Sequence, residues 1–375
     1  MYRKTVMITG CAGNVGRISL EFLARTPGVG RIIASDLNEE RGLCIASNAI
    51  LSAALSNCYP KIEFLRHDLR DEEQTTTAIK KIKPDVILNT ATMYTSYYYY
   101  EPLLKIIKKL GVKFHRPAHT IAKDIFLIYK LMKAVKNSEA DTHVINVAFP
   151  DNTHPALKKV GLAPTTGVGN AVELVVGFRR IVAKRLNVSM RNVSVSVIAH
   201  HAITVNKPGI VPYYTKIKYL DEDITNQFNT DELIGEVQDQ LLGKDRTEME
   251  LVNALVGAHA VRIISAILND TDELLHAPGI DGMAGCLPAR FNSDGAKIVL
   301  PSDITMEEIQ KMFSEGLKID GIERIENDGT IVFTEDAVRI LEEGLGLKGW
   351  KTLKLSDAEQ MSNELISAYK RIGMN

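Results

Sequence analysis

The chain has 375 residues, of which 45% are hydrophobic and 24% charged, and its net charge is −1. That length is enough for two domains of ordinary size, and the composition is typical of a globular protein with a large core. The near-neutral balance predicts no basic face, so we expect no nucleic-acid partner. We expect neither a membrane span nor a signal peptide, because no apolar run approaches the length of a span and the first strand starts at once.

The four cysteines indicate a reducing compartment. None is paired at metal-ligand spacing, and their number is low for a disulfide scaffold. No set of His, Asp and Glu residues has metal-ligand spacing either. We therefore expect a cytoplasmic protein without a metal.

The first motif is a glycine turn between a strand and a helix. Residues 4–16 read KTVMITGCAGNVG, in which an apolar run leads into glycines at three-residue spacing and then into a helical apolar period. An ordinary tight turn is one interpretation. The other is a pyrophosphate site, because the helix start presents unpaired N–H groups and glycine allows close approach. The residues predicted to bind the phosphates are Gly10, Gly13, Asn14, Val15 and Gly16.

A second strand, at 31–36, ends in an acid. Asp36 lies 26 positions after Gly10, close to the spacing of the acid that binds the ribose hydroxyls of NAD. A carboxylate there repels the extra phosphate of NADP, although Asn38 and Arg41 follow closely. The combined strand, glycine, helix, strand and acid signal predicts an NAD site.

Strands and helices alternate through the first 150 residues. Further strands are predicted at 62–66, 85–88 and 143–147, and helices at 74–83 and 120–136. This alternation predicts an α/β fold with a doubly wound parallel sheet, a Rossmann domain over 1–150, and ligands at the carboxyl ends of the strands.

Several residues follow or end these strands where a dinucleotide would lie. We predict Asp68 and Leu69 beside the adenine, and Asn89, Thr90 and Ala91 beside the nicotinamide ribose. Asn146, in the next strand, is assigned to the cofactor as well. Each of these could instead be a plain turn residue.

Two segments before the helix at 120–136 leave alternatives open. The four tyrosines at 97–100 are either a partly packed strand, loop or subunit contact, or a lid over the substrate. The basic residues His115, Arg116, His119 and Lys123 form either a solvated loop or a clamp for a carboxylate or phosphate.

Past residue 150 the pattern changes. It predicts an α+β domain for substrate binding and oligomerisation over 151–375. The predicted helices are 170–186, 221–242, 249–269, 336–344 and 357–372, and the strands are Val193–Ala199 and pairs within 288–300 and 319–334. The small residues of 249–269 and the apolar helix after the glycine turn could each form a self-complementary face. We therefore expect a homodimer or homotetramer.

The strand Val193–Ala199 leads into His200 and His201. Histidine suits the proton transfer that accompanies hydride transfer, because its pKa lies near working pH. Neighbouring strand residues face opposite ways, so either histidine could be catalytic. Alternatively, one of the two is a packed residue at the end of the strand and neither is catalytic.

With these residues in place, the chain resembles the lactate/malate dehydrogenase superfamily, which includes NAD-dependent glycosidases. The resemblance runs to about residue 335. Its segments are GCAGNVG, ERGLCIAS, IAKDIFLIYKLMKAVK, THVINVAFP, GVGNAVELVVGFRRIVAKRLNV, VSVIAHHAITV and NALVGAHAVRIISAIL. It implies that His201 is the catalytic histidine and that Glu173 orients it. It places Lys123 where the family has a substrate-binding arginine, and Arg116 near the mobile-loop arginine.

Three positions depart from the family pattern. Phe149-Pro150 stands where the family has Asn-Pro, and Val176 or Gly177 stands where a helix arginine clamps a substrate carboxylate. The segment TTGVGN lacks the metal-binding cysteine of the glycosidases. The first two departures disfavour a 2-hydroxy-acid substrate, and the third disfavours a glycosidase.

The resemblance implies an NAD-dependent oxidoreductase acting on a secondary alcohol or ketone of a small polar metabolite. One alternative is a glycosidase-like or epimerase-like enzyme that retains NAD. Another is a non-catalytic, NAD-binding regulatory protein.

Overall fold

The computed structural model describes residues 4–95, 100–112, 120–242 and 252–373. These residues form three sheets with helices packed against them.

The first sheet has six parallel strands in the order β3-β2-β1-β4-β5-β6. Its strands are β1 (Lys4–Thr9), β2 (Val29–Asp36), β3 (Lys61–Arg66), β4 (Val86–Asn89), β5 (His143–Asn146) and β6 (Thr166–Gly167). Val6, Met7 and Ile8 are fully buried, as a parallel sheet covered on both faces requires. This confirms the predicted Rossmann sheet. β6 joins that sheet although it lies beyond residue 150.

Six helices connect or flank these strands. They are α1 (Asn14–Leu23), α2 (Glu39–Leu55), α3 (Glu72–Ile82), α4 (Tyr100–Leu110), α5 (Ile121–Ser138) and α6 (Pro150–Lys159). Thr9 pairs with Ser35 of β2 and Asn89 of β4, and Asn89 pairs with Asn146 of β5. The strands therefore end level with one another, which brings the residues after them to one edge of the sheet.

The second sheet is antiparallel, with the order β10-β11-β7-β8-β9 and β12 paired to β11. Its strands are β7 (Val193–Ala199), β8 (Tyr213–Tyr219), β9 (Glu222–Asp223), β10 (Glu273–Pro278), β11 (Cys286–Asn292) and β12 (Gly295–Ile298). The helices of this part are α7 (Val172–Leu186), α8 (Thr230–Leu242), α9 (Val252–Leu268) and α10 (Met306–Ile319). The fold class, a Rossmann sheet followed by an α+β part, is thus confirmed.

The last residues form a small unit on the parallel-sheet side. It contains β13 (Ile322–Ile325), β14 (Ile331–Phe333), β15 (Thr352–Leu353), α11 (Glu335–Arg339), a π turn (Ile340–Gly344) and α12 (Ala358–Gly373). Its apolar side chains, including Leu365 and Tyr369, join the core around α5. This packing explains why α5 is buried over most of its length.

Three differences from the sequence expectations have physical reasons. The helix predicted over 221–242 begins only at Thr230, because Thr225 bonds to Asp223 and to the Ile217 backbone, which closes a turn before it. The small-residue face of α9 packs on α1 within the chain: a Cβ on Gly257 would lie 2.9 Å from Ile18. That face is therefore used inside one subunit. Helix α10 was missed, although a capping box starts it.

Candidate active site

The glycine turn joins β1 to α1, and contacts within the chain account for two of its three glycines. Gly10 has a φ of +79°, and a Cβ there would lie 2.8 Å from the Ala91 backbone. A Cβ on Gly16 would lie 2.2 Å from the Gly10 carbonyl oxygen. Gly13 is exposed, and its Cβ would meet the same oxygen only at 3.3 Å. Contacts within the chain therefore restrict Gly13 less than Gly10 and Gly16, and the space beside it is open to solvent.

The N-terminus of α1 adjoins that space. Asn14 and Val15 are its first residues, and its N-cap, Gly13, makes no side-chain cap hydrogen bond. Helix N–H groups without a cap are donors for an anion. The turn thus fits the pyrophosphate of a dinucleotide.

Asp36 ends β2 directly beside the turn. Its carboxylate accepts the Ala12 N–H at 2.9 Å and the Asn38 N–H at 2.9 Å. Arg41 donates its Nε–H to the Ala12 carbonyl at 2.9 Å. Two hydrogen bonds leave lone pairs on the carboxylate for ribose hydroxyls. Asp36 therefore both supports the turn and fits the predicted ribose contact.

The two residues predicted at the adenine differ in their surroundings. Asp68 is partly exposed and pairs with Arg70 at 2.6 Å, a hydrogen bond that lowers the pKa of the Asp68 carboxyl. Leu69 is buried in the core. The carboxylate of Asp68 thus has a partner within the chain.

A chain of buried hydrogen bonds runs across the ends of β1, β4 and β5. Thr9 donates to Asn89 at 2.8 Å, Asn89 donates to Asn146 at 2.9 Å, and Asn146 lies 3.1 Å from His154 Nε2. His154 Nδ1 lies 2.9 Å from the Gly279 carbonyl oxygen. The amides of Asn89 and Asn146 are therefore held inside the protein, and these two residues shape the edge of the sheet from within.

Thr90 and Ala91 lie against the glycine turn. The Thr90 hydroxyl lies 2.8 Å from the Thr9 carbonyl oxygen and 3.0 Å from that of Gly10. Ala91 is the backbone neighbour that requires glycine at position 10. The two residues therefore border the glycine turn.

Lys123 is buried on α5 and is part of an ion pair. Its Nζ lies 2.5 Å from Asp124 Oδ1, and the Thr92 hydroxyl lies 3.0 Å from the same oxygen. Its charge is therefore balanced by Asp124. The other predicted clamp residues (His115, Arg116 and His119) and Tyr97–Tyr99 of the tyrosine run lie outside the described residues, as does the side chain of Tyr100.

His200 is fully buried, and both of its ring nitrogens are engaged. Nδ1 accepts the Ala202 N–H at 3.1 Å, and Nε2 lies 3.3 Å from Asn152 Oδ1. The proton is therefore on Nε2, and burial lowers the pKa of this ring. Both nitrogens of this neutral ring therefore have partners within the chain.

His201 begins a short 3₁₀ helix, His201–Thr204, directly after His200. Its ring packs edge-on against Phe149, with centroids 5.3 Å apart. Its Nδ1 lies 3.9 Å from Asp320 Oδ2. Phe149, which stands where the resembled family has asparagine, thus forms part of the wall around His201.

Two more acids lie around His201. Asp151 accepts the His201 N–H at 3.3 Å and a hydrogen bond from Asn170. Glu173, in the first turn of α7, is close enough for the charge of His201 to act on it. Burial raises the pKa of Asp151 and of Glu173.

Three residues of this cluster were not predicted: Asp151, Asn152 and Asp320. The first two directly follow Phe149-Pro150, just past the segment THVINVAFP, and nothing in the sequence connects them with His201. Asp320 follows α10, whose capping box at Thr305 and Glu308 was the available signal. The described residues contain no group of three or more His, Cys, Asp or Glu arranged to hold a metal ion.

The positions where the resembled family carries its clamp arginine face elsewhere. Val176 is 38% exposed. A Cβ on Gly177 would lie 2.5 Å from Val237 of α8. This part of α7 therefore packs on α8 or meets solvent.

No protein-family model and no curated protein sequence matches the chain. Solved structures do match it in fold. MGS-M5, a lactate dehydrogenase enzyme from a Medee basin deep-sea metagenome library, has a TM-score of 0.61 and 15% identity, over 85% of this chain and 99% of its own. Lactate dehydrogenase from Eimeria maxima with NADH and oxamate has a TM-score of 0.61 and 14% identity, over 85% of this chain and 92% of its own. Malate dehydrogenase from Cryptosporidium parvum has a TM-score of 0.61 and 16% identity, over 84% of this chain and 96% of its own.

The chain has the fold of the lactate and malate dehydrogenases. This dehydrogenase fold carries the glycine turn after β1, and Phe149, three residues after the end of β5, contacts His201. Among the described residues of this dehydrogenase fold, no helix is long and apolar enough to cross a membrane.

Proposed function

We propose that the protein is an NAD-dependent oxidoreductase that acts on a secondary alcohol or ketone of a small polar metabolite. The observation that carries the proposal is the contact of the His201 ring with Phe149, which lies three residues after the end of β5. In the same sheet, β1 leads into the glycine turn and β2 ends in Asp36. Parallel sheets bind ligands at this edge.

The residues would divide the work as follows. Gly13 and the first N–H groups of α1 would hold the pyrophosphate, and Asp36 the adenosine ribose. Bound NAD would supply the hydride acceptor or donor at its nicotinamide. His201 would take the hydroxyl proton on oxidation and return it on reduction. His200 does not fit this role, because both of its nitrogens already have partners.

The substrate class follows from the charges around His201. Val176 and Gly177 provide no cation, and the charge of Lys123 is balanced by Asp124. The described residues therefore favour a neutral hydroxyl or carbonyl compound over a 2-hydroxy acid. The same observation keeps an NAD-retaining, glycosidase-like or epimerase-like enzyme as the second candidate.

The test combines binding and turnover. NADH affinity is measured by fluorescence titration, and hydroxy acids, polyols, sugars and sugar phosphates are screened for NADH formation. His201→Asn should lose about 10²–10⁴-fold in kcat with NADH affinity unchanged, because the ring acts on the substrate. NADH binding without turnover of any compound would favour a regulatory protein, and NAD that stays bound through purification would favour the second candidate.

We also propose that the protein works in the reducing cytoplasm as a homodimer or homotetramer. The packing of α9 on α1 removes one predicted contact face, but α2 presents Leu43, Leu51 and Leu55 to solvent at 48%, 65% and 91% exposure. Apolar side chains on one exposed helix are typical of a subunit contact. A monomer by light scattering at micromolar concentration would refute the proposed assembly.

A further inference from the structure

Helix α10 approaches the candidate active site more closely than a side chain at Gly316 would allow. A Cβ on Gly316 would lie 2.3 Å from the Cβ of His200. Glycine at this position therefore lets α10 pack directly on the histidine pair. One turn later the helix ends at Ile319, and Asp320 follows as its C-cap.

The backbone on both sides of Asp320 is fixed. Its N–H donates to the Gly316 carbonyl at 3.0 Å. Gly321 has a φ of +88°, a conformation that favours glycine, and its carbonyl accepts the Thr334 N–H at 2.9 Å. The side chain of Asp320 is thus held where the C-terminal unit begins, and the residue is 1% exposed.

Three side chains approach the same oxygen of Asp320. Asn152 donates to Oδ2 at 3.2 Å, while Nδ1 of His200 lies 3.7 Å and Nδ1 of His201 lies 3.9 Å from it. His200 cannot donate from Nδ1, because that nitrogen accepts the Ala202 N–H. Of the two histidines, His201 is therefore the one that can donate an Nδ1–H to Asp320.

We propose that Asp320, rather than Glu173, is the positioning residue that orients His201. This inference rests on the proposed function, because it concerns the ring that would move the proton. An Nδ1–H held by a carboxylate leaves Nε2 as the basic nitrogen, and the carboxylate stabilises the imidazolium once Nε2 is protonated. The two atoms are 3.9 Å apart, beyond hydrogen-bond distance, and catalytic contacts of this length often tighten when ligands bind.

The charges around His201 support this assignment. Burial alone would raise the pKa of Asp320, but the electrostatic influence of the neighbouring His200 and His201 rings and the hydrogen bond from Asn152 outweigh it and lower that pKa. Burial raises the pKa of Glu173, and also of Asp151, the third acid that faces the ring. Asp320 is therefore the acid of the three whose surroundings favour the ionised form. An ionised buried carboxylate requires partners of this kind.

The experiment reads the ring directly and needs no substrate. The full chain is prepared with ¹⁵N-labelled histidine, and the His201 signals are identified by their loss in His201→Asn. The wild type should show the Nδ1–H tautomer. Asp320→Asn should lower the pH at which His201 gains its second proton by about 1–3 units, as loss of an adjacent opposite charge does. Glu173→Gln, the matched control, should change that pH by much less.

Each other outcome overturns the proposal. An Nε2–H tautomer of His201 in the wild type would overturn the proposal by itself. This measurement needs no variant, so the test stands even if the Asp320→Asn protein fails to fold. The proposal is also overturned if Glu173→Gln changes the pH at which His201 gains its second proton as much as Asp320→Asn does, or more. Because these signals depend on neither NADH binding nor turnover, failure of the proposed function would appear separately, in the titration and the substrate screen.

Discussion

Replacing Gly13 distinguishes a glycine that we propose leaves space for the cofactor from glycines that the fold itself requires. Gly13 has a φ of −74°, which alanine adopts freely, and its Cβ would have only one contact, at 3.3 Å. Alanine at an N-cap costs about 0.5–1 kcal/mol, and loss of glycine from the unfolded chain returns about 0.4–1 kcal/mol. We therefore expect the free energy of unfolding of Gly13→Ala to stay within about 1 kcal/mol of the wild type.

The effect on the nucleotide should be much larger. A methyl group on Gly13 would occupy the space beside the first N–H groups of α1, where the pyrophosphate is proposed to bind. A hydrogen bond to a charged group contributes about 1.5–3 kcal/mol, so each one lost lowers affinity roughly tenfold to a hundredfold. We expect Gly13→Ala to lower the affinity for NADH at least tenfold, and Gly13→Val to abolish NADH binding.

Two control variants bracket this result. Gly16→Ala would place a Cβ 2.2 Å from a backbone oxygen, so it should destabilise the fold by about 1–3 kcal/mol. Gly235→Ala, in the interior of α8, would meet only Pro208 at 3.7 Å and should leave NADH affinity unchanged. The assays are NADH fluorescence titration and urea unfolding. Wild-type NADH affinity in Gly13→Val would refute the cofactor site.

Two further predictions concern Asp36 and two buried histidines. Asp36→Ala should weaken the binding of NADH and reduce the preference for NADH over NADPH, because it removes the acceptor for the ribose hydroxyls and the repulsion of a 2′-phosphate. A wild-type protein that already binds NADPH more tightly would contradict this role. His154 and His259 are buried, and burial lowers the pKa of each to about 4. Between about pH 4 and about pH 6.5 the unfolded chain binds protons that the folded chain does not. The free energy of unfolding is therefore highest above about pH 6.5 and falls as the pH is lowered to about 4, by roughly 3 kcal/mol per histidine. Urea unfolding at about pH 7.5 and about pH 5 measures this difference. Equal free energies of unfolding at the two pH values would show that both rings accept protons in the folded protein.

Local pattern was sufficient to predict the parallel-sheet half of the protein. The strand bounds of β7 and the sheet of β1 to β5 follow from apolar runs and their periods, which depend on neighbours in sequence. The same holds for the glycine turn and Asp36, because a strand, a turn, a helix and a second strand form one continuous unit. Their contact, from Asp36 to the Ala12 N–H, joins residues of that unit.

The histidine cluster depended on tertiary structure. The sequence placed His201 at the end of a strand, and the family resemblance implied Glu173 as its partner, but neither carried a signal that Asp320 or Asp151 would lie beside His201. Those contacts exist because α10 packs on His200 through Gly316 and because α6 starts directly after Phe149. Likewise, the small residues of α9 read equally well as a subunit contact until their packing on α1 was known. Side chains from distant segments meet only when packing brings their elements together, and the period of either segment alone does not encode the choice of partner.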